Sequence, residues 1–176
     1  ITGQINGYSM IPWSDSFRYF DESSGDYRYV QAEAGSDEYR AHWEPFLKDF
    51  VRHLRQKGWL ERTCVAMDER ELEAMRRLIA FLKSAAPELR VALAGSYYES
   101  LQPDIHDYCL YIDQTADQRV IGDRVKRGLP TTFYVCCIPP RPNVHTFSPP
   151  AEAQWMAWHA AASGYNGFLF WSYNDA

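Results

Sequence analysis

The sequence has no long hydrophobic run, no basic stripe and no glycine-rich phosphate loop. No apolar stretch approaches the roughly 18 residues that a membrane-spanning helix needs, and no signal-peptide pattern is present, so no membrane span is predicted. Asp and Glu (23) outnumber Lys and Arg (18), which gives a net charge of -5 and argues against nucleic acid as a partner. Without a GxGxxG or Walker loop after any predicted strand, a nucleotide-binding sheet is disfavoured.

Cysteine is also scarce. The four cysteines are Cys64, Cys109, Cys136 and Cys137, and none belongs to a CxxC pair, which argues against a zinc site. Inside a strand a free cysteine behaves as a small hydrophobe. Strand alternation directs one side chain of the vicinal pair inward and the other outward. We expect reduced thiols at all four positions.

The chain is rich in apolar and aromatic residues. Hydrophobic residues make up 46% of it and aromatic residues 15%, including six Trp and twelve Tyr, which is ample for the core of a single domain over residues 1–176. Tyr and Trp suit surfaces that hold sugars, although composition alone favours an aromatic-rich core as the explanation. Because the chain starts at Ile1 rather than Met, we interpret it as a piece of a longer polypeptide.

Helix and strand patterns alternate along the chain. Apolar residues recur at three- and four-residue steps over 37–57, with Gly58 at the expected C-terminal cap. Further helices are predicted over 69–87, 117–128 and 150–164, and strands near 1–13 and over 63–67, 90–96, 106–112, 130–138 and 167–173, with a short hairpin within 26–33 in a surface insertion. This alternation predicts a parallel sheet covered by helices.

Polar and aromatic residues follow several predicted strands directly. Such placement is typical of a (β/α)8 TIM barrel, whose active site lies at the carboxyl ends of its strands. A whole barrel needs roughly 250 residues, and only about six strands can be counted here. The sequence therefore predicts an α/β fold that is an incomplete TIM barrel, comprising its later strands.

The strand TCVAM is followed at once by Asp68 and Glu69. Two carboxylates that converge on a sugar are the minimum set for glycoside hydrolysis. One carboxylate raises the pKa of its neighbour and so keeps a proton available for the leaving group. Because adjacent residues suit the usual acid and nucleophile poorly, Glu69 fits an acid/base role and Asp68 fits holding a substrate group that itself attacks. Alternatively, the pair is the acidic first turn of the next helix.

The sequence is less consistent with two other kinds of site. A metal could be bound by Asp68, Glu69, His106 and His145, but these histidines lack the helical spacing of an HExxH site. His106 also starts a strand, at the opposite end from the carboxylate pair. A Ser-His-Asp hydrolase is disfavoured because the sequence has no GxSxG elbow.

Several stretches together resemble one enzyme family. They are HLRQKGW, AMDER, LAGSYY, LPTTFYVCC, TFSPPAEAQWMAW and GYNGFLFWSYN, of which AMDER and TFSPPAEA are the most specific. They resemble the later part of the catalytic barrel of glycoside hydrolase family 123, over nearly the whole chain. The resemblance implies a retaining, substrate-assisted hydrolase of terminal N-acetyl-β-galactosaminides.

By that resemblance the family's adjacent Asp-Glu pair falls on Asp68 and Glu69. Asp68 would orient the substrate's 2-acetamido N–H so that its carbonyl oxygen attacks the anomeric carbon, and Glu69 would protonate the leaving oxygen and later deprotonate water. No metal or organic cofactor is implied. Strand-end residues that would line the sugar pocket are Tyr8, Trp13, Tyr97, Tyr98, Tyr134, Trp171, Tyr173 and Asn174.

Two alternatives to this activity stay open at the level of sequence. One is a barrel that binds a glycan without cleaving it, and the other is a glycosidase acting on sugars without a 2-acetamido group. In each case the expected partner is a carbohydrate. The open edges of an incomplete barrel predict self-association, and the resemblance implies a secreted or periplasmic location.

Overall fold

The computed structural model describes residues 5–6, 16–67 and 70–170. It contains short and medium helices alternating with strands. In chain order they are β1 (Ile5–Asn6), β2 (Ser16–Asp21), β3 (Asp26–Gln31), α1 (Asp37–Lys57), β4 (Thr63–Met67), α2 (Leu72–Ala85), β5 (Arg90–Gly95), β6 (Ile105–Tyr111), α3 (Gln118–Lys126), β7 (Thr131–Val135), α4 (Pro150–Ser163) and β8 (Gly167–Phe170). By their internal contacts these elements divide into two compact units, Ile1–Val91 and Ala92–Ala176.

In the first unit, α1 has the bounds that its sequence pattern predicted. The Ser36 side chain accepts a hydrogen bond from the Tyr39 backbone N–H at 3.2 Å, and Gly58 ends the helix at a φ of 68°, a conformation that glycine adopts without strain. The Tyr39 ring meets Phe81 of α2 edge-on at 5.4 Å. The Tyr39–Phe81 contact joins α1 to α2.

The hairpin of the insertion is larger than predicted. DYRYVQ is a single strand, β3, which pairs antiparallel with β2 from Ser16↔Gln31 to Asp21↔Asp26. The sequence-based hairpin within 26–33 was therefore wrong in its pairing. The reversal lies at residues 22–25, where Gly25 has a φ of 71° and the Asp21 side chain accepts from the Ser23 backbone N–H at 3.0 Å, a turn chemistry that the tyrosine-rich pattern concealed.

Also in the first unit, β1 pairs parallel with β4. Four of the five residues of β4 are buried, including Val65 and Met67, as expected for a strand covered on both faces. The strand carries the chain to Met67, immediately before Asp68.

In the second unit the strands lie in the order β5-β6-β7-β8, and β6, β7 and β8 pair in parallel. One face of this sheet packs on helices. Phe133 of β7 meets His159 of α4 at 4.8 Å, and the Arg124 guanidinium of α3 lies 5.4 Å from the centre of the Tyr108 ring of β6. By alternation, Tyr111 and Tyr134 lie on the opposite face.

Strand β7 ends earlier than its sequence pattern predicted. The run 130–138 was expected to be strand throughout, with Cys136 and Cys137 pointing to opposite sides of the sheet. Instead β7 ends at Val135, and the next carbonyl, that of Cys136, accepts a hydrogen bond from the Asn143 side chain at 2.7 Å. Both cysteines therefore lie in the loop that follows.

The structure thus has a mixed α/β fold with a parallel sheet. Within the described ranges, no helix is both long enough and apolar enough to cross a bilayer. That this sheet is part of an incomplete TIM barrel stays a prediction.

Candidate active site

Two tyrosines mark the carboxyl edge of the second unit's sheet. Tyr111 and Tyr134 are register partners on β6 and β7, and their ring centres are 5.4 Å apart. The next register partner is Leu169 on β8, which is 52% exposed. Both tyrosines are half-buried. Together these three residues form an apolar platform on the face away from the helices, where the parallel strands end.

The loop after β7 is held beside this platform by Asn143, which is fully buried. Its Nδ2 donates to the carbonyls of Cys136 and Pro139, at 2.7 and 2.8 Å. Its Oδ1 accepts from the Val144 N–H, and its own backbone N–H donates to the Glu152 carboxylate of α4, both at 2.8 Å. One amide side chain thus satisfies three backbone groups of a loop that has no regular structure.

Further along the same loop, His145 connects the loop to β8 through aromatic contacts. The His145 ring stacks on Phe147 at 5.1 Å and meets the Phe170 ring edge-on at 5.7 Å. Phe147 is 78% exposed, which is unusual for so large an apolar side chain. Because Phe170 is the last residue of β8, this aromatic cluster also lies at the carboxyl edge of the sheet.

Replacing Asn143 by Ala is expected to lower the free energy of unfolding by about 2–3 kcal/mol, because two carbonyls and one N–H lose their buried partner. Asn143→Asp has the same shape but cannot donate, so it should cost at least as much. Denaturant unfolding measures the loss, and faster chymotryptic cleavage after Phe147 locates it in the loop. The control Asn166→Ala removes one bond to the Thr131 N–H from an exposed position. An Asn143→Ala loss no larger than the control's would contradict the role of Asn143.

Tyr97 and Tyr98 follow β5, as predicted, but Tyr97 lies on the helix side of the sheet. Its ring centre is 6.0 Å from that of Tyr108, the residue that α3 covers. Burial raises the pKa of the Tyr97 phenol. The Tyr108 hydroxyl accepts from the Tyr98 N–H at 3.0 Å and donates to the Ser96 carbonyl at 2.8 Å. The structure therefore does not bring Tyr97 together with Tyr134.

Tyr97 instead lines a groove of about 620 Å³. This groove exists because β5 and β6 are joined by a short connection, residues 96–104, with one 3-10 turn and no α-helix. The connection and α3 form its walls, through Tyr97, Glu99, Gln102, Pro103, Val120, Asp123, Lys126 and Arg127. The groove is thus separate from the tyrosine platform.

The remaining predicted site residues lie outside the described part of the chain. They are Tyr8, Trp13, Asp68, Glu69, Trp171, Tyr173 and Asn174. The elements that flank the carboxylate pair are described, however: β4 ends at Met67, and α2 begins at Leu72 with Glu71 as its N-cap residue.

The structure places the two candidate metal-binding histidines at opposite ends of the second unit's sheet. His106 is the second residue of β6, and His145 follows the carboxyl end of β7. Across the described residues, no cluster of three or more His, Cys, Asp or Glu could hold a metal ion.

Sequence reasoning missed Tyr111, Asn143 and the His145 cluster. Tyr111 could have been found by the same strand-end rule, since it closes β6 as Tyr134 nearly closes β7. Asn143 carried no such signal. An asparagine in a proline-rich loop is normally interpreted as a turn residue. Asn143 becomes buried only because the loop folds back toward Cys136, which the local sequence does not indicate.

Comparison with known proteins identifies the family to which the chain belongs. No curated protein matches the sequence. A solved structure of a family 123 glycoside hydrolase from Clostridium perfringens, studied for glycolipid glycan hydrolysis, is similar with a TM-score of 0.82 and 27% identity over 97% of this chain. The chain spans 31% of that protein. The family description "Glycoside hydrolase 123, catalytic domain" matches residues 1–175. This confirms the family that the sequence motifs indicated: the chain belongs to glycoside hydrolase family 123 and lies in its catalytic domain.

Proposed function

We propose that the protein is a retaining glycosidase that hydrolyses terminal N-acetyl-β-galactosaminides with assistance from the substrate. The observation that carries this proposal is the Asp68-Glu69 pair, placed directly after a buried parallel strand in a chain that matches a glycosidase catalytic domain over residues 1–175. Parallel strands end at one edge of a sheet, and in a (β/α)8 barrel that edge carries the active site. We include in the proposal that the sheet is part of such a barrel.

The proposed division of labour follows from the chemistry of adjacent carboxylates. Asp68 accepts the acetamido N–H, which makes the acetamido oxygen more nucleophilic and holds it against the anomeric carbon. Glu69 donates a proton to the leaving oxygen and then takes one from water. Because the substrate supplies the nucleophile, the pair needs no separation of about 5 Å between acid and enzyme nucleophile. Neither step needs a metal or an organic cofactor.

The proposed sugar contacts are the strand-end residues Tyr8, Trp13, Tyr97, Tyr98, Tyr134, Trp171, Tyr173 and Asn174. Of the three that are described, Tyr134 has the strongest support, since its ring lies in the platform at the carboxyl edge, beside Tyr111. Tyr97 has the weakest, since its ring lines the groove on the helix side. The glycan of a glycolipid is the substrate class that we propose, because the similar enzyme from Clostridium perfringens was studied with such glycans.

The experiment measures the hydrolysis of two aryl glycosides by the complete polypeptide and compares their rates. One carries a 2-acetamido group and the other a 2-hydroxyl group on the same sugar and leaving group. Substrate assistance predicts turnover of the first only, because a hydroxyl cannot supply the nucleophile. Equal turnover of both would point to a glycosidase that supplies its own nucleophile. Tight binding of the amino sugar without turnover would point to a glycan-binding barrel.

Replacing Tyr134 by Ala is expected to raise KM about two- to tenfold, the equivalent of an aromatic contact of roughly 0.5–1.5 kcal/mol. Tyr134→Phe keeps the ring and should keep KM if stacking is the main contact. Steady-state kinetics on the acetamido substrate measures both variants, and unfolding curves check that each variant is folded as stably as the wild type. An unchanged KM in Tyr134→Ala would remove Tyr134 from the proposed pocket.

A further inference from the structure

Four cysteines divide into two chemically different pairs. Cys64 and Cys109 are 1% and 6% exposed, and burial raises the pKa of the Cys109 thiol to about 12. The Cys109 thiol therefore stays protonated, and burial keeps both of these sulfur atoms away from reagents in solution. Cys136 is half-buried and Cys137 exposed, and their sulfur atoms are 4.0 Å apart. Only this vicinal pair therefore combines solvent access with a second thiol within reach.

We propose that Cys136 and Cys137 form a reversible thiol-disulfide modification site, whose reaction partner is a small-molecule disulfide such as oxidised glutathione. The Cys137 thiolate, which is the more exposed, attacks one sulfur of that disulfide and releases its other half as a thiolate. The Cys136 thiolate then attacks the Cys137 sulfur in the mixed disulfide and releases the second half. The two protons leave with the two small-molecule thiols, so the small disulfide is reduced as the protein dithiol is oxidised.

The bond formed in this way should be easily broken again. Neighbouring Cα atoms are about 3.8 Å apart across a trans peptide, whereas disulfide-linked residues usually have Cα atoms about 4.4–6.8 Å apart. Closing the ring between adjacent residues therefore strains the backbone, and strained, exposed disulfides are the readily reduced ones. This chemistry predicts a modification that follows the redox state of the surroundings rather than a permanent cross-link.

The site is mechanically connected to the carboxyl edge of the sheet. Cys136 is two residues beyond Tyr134, and its carbonyl accepts the 2.7 Å hydrogen bond from Asn143 that holds the loop. Closing the Cys136–Cys137 ring must reorient the peptide that carries this carbonyl. Oxidation should therefore loosen the loop over residues 136–149, and its effect on hydrolysis rests on the proposed function.

The test treats the native protein with oxidised glutathione, alkylates the remaining thiols, digests the protein and maps the peptides by mass spectrometry. The expected product has lost two hydrogen atoms in the 136–137 peptide, carries no glutathione and is restored by dithiothreitol. Cys64 and Cys109 serve as internal controls and should be alkylated only after unfolding. Cys136→Ser should stop at the mixed disulfide on Cys137, because it lacks the second thiol.

Three outcomes would overturn the proposal. They are a wild-type product that keeps glutathione on Cys137 as Cys136→Ser does, disulfide-linked dimers in place of the internal ring, and the absence of any reaction at either residue. Hydrolysis by the oxidised and reduced forms is measured separately, with at least a twofold lower rate expected on oxidation. If the protein hydrolyses no acetamido substrate in either form, the proposed function fails while the peptide map still decides the thiol proposal.

Discussion

Replacing Glu69 with Gln should lower kcat/KM for an aryl N-acetyl-β-galactosaminide by about 10²–10⁴-fold, the usual contribution of a general acid. Glutamine occupies the same space but has no proton to give to the leaving oxygen. Asp68→Asn should cost about 10²–10³-fold, the usual loss when one preorganised charge contact to the reacting group is removed. Its amide can no longer act as a charged acceptor for the acetamido N–H.

The leaving group separates the two proposed roles. A dinitrophenyl leaving group departs without protonation, so it should recover much of the rate of the first chemical step in Glu69→Gln. The same leaving group should recover little in Asp68→Asn, because the acetamido nucleophile remains poorly held. Single-turnover kinetics on substrates of graded leaving-group pKa measures this difference. Equal recovery in the two variants would contradict the division of labour between Asp68 and Glu69.

Glu71→Gln is the matched control for these variants. It removes a carboxylate two residues further on, at the exposed N-cap position of α2, where the side chain makes no capping hydrogen bond. It should leave kcat/KM within about twofold of wild type, since changes at such surface sites usually cost no more than about 0.5 kcal/mol. Should Glu71→Gln lose as much rate as Glu69→Gln, the acidic segment matters through its charge or folding and not through a catalytic pair.

The sequence predicted best those features that a local pattern determines. The bounds of α1 followed from its apolar spacing and from Gly58. A helix cap depends on a few neighbouring residues, so a single sequence carries the necessary information. For the same reason the family motifs could be recognised in short stretches such as AMDER.

Features that depend on distant residues were predicted poorly. Asn143 binds the carbonyl of Cys136, seven residues earlier and just beyond the end of β7, and no local propensity records that bond. The pairing of β3 with β2 and the placing of Tyr97 on the helix side depend equally on partners elsewhere in the chain. A strand-end rule finds residues at the correct edge, but which face a loop residue occupies depends on how the loop returns to the next strand.

The loss of Arg124 is expected to destabilise the fold strongly. It is 1% exposed, and its guanidinium donates to Thr131 Oγ1 at 3.0 Å, to the Ile105 and His106 carbonyls at 3.1 Å, and to the Gln102 and Pro130 carbonyls at 3.3 and 3.5 Å. The pairing of β6 with β7 begins only at Tyr108↔Thr131. The guanidinium thus binds the chain just where β6 and β7 enter the sheet.

Arg124→Met is expected to lower the free energy of unfolding by about 2–4 kcal/mol, because the Ile105 and His106 carbonyls lose their guanidinium donors, and a buried carbonyl left without a donor costs roughly 1–3 kcal/mol. The Gln102 and Pro130 carbonyls keep the backbone N–H groups of Ile105 and Tyr108. Replacing a buried charge by an apolar side chain can stabilise a protein when its partner is replaced too. Arg124→Met cannot gain stability in this way, because four of the five acceptors are backbone carbonyls, which no substitution removes. Arg124→Lys keeps the charge but not the planar five-donor fork, so it should lie between wild type and Arg124→Met.

The exposed Arg119 of the same helix supplies the control, since Arg119→Met makes the same chemical change at the surface and should cost no more than about 0.5 kcal/mol. Denaturant midpoints for the three variants, with slopes compared to exclude a change in the unfolded state, measure the losses. If Arg124→Met unfolds within about 1 kcal/mol of Arg119→Met, water or a local rearrangement satisfies the carbonyls, and the guanidinium is not what holds the strand entries together.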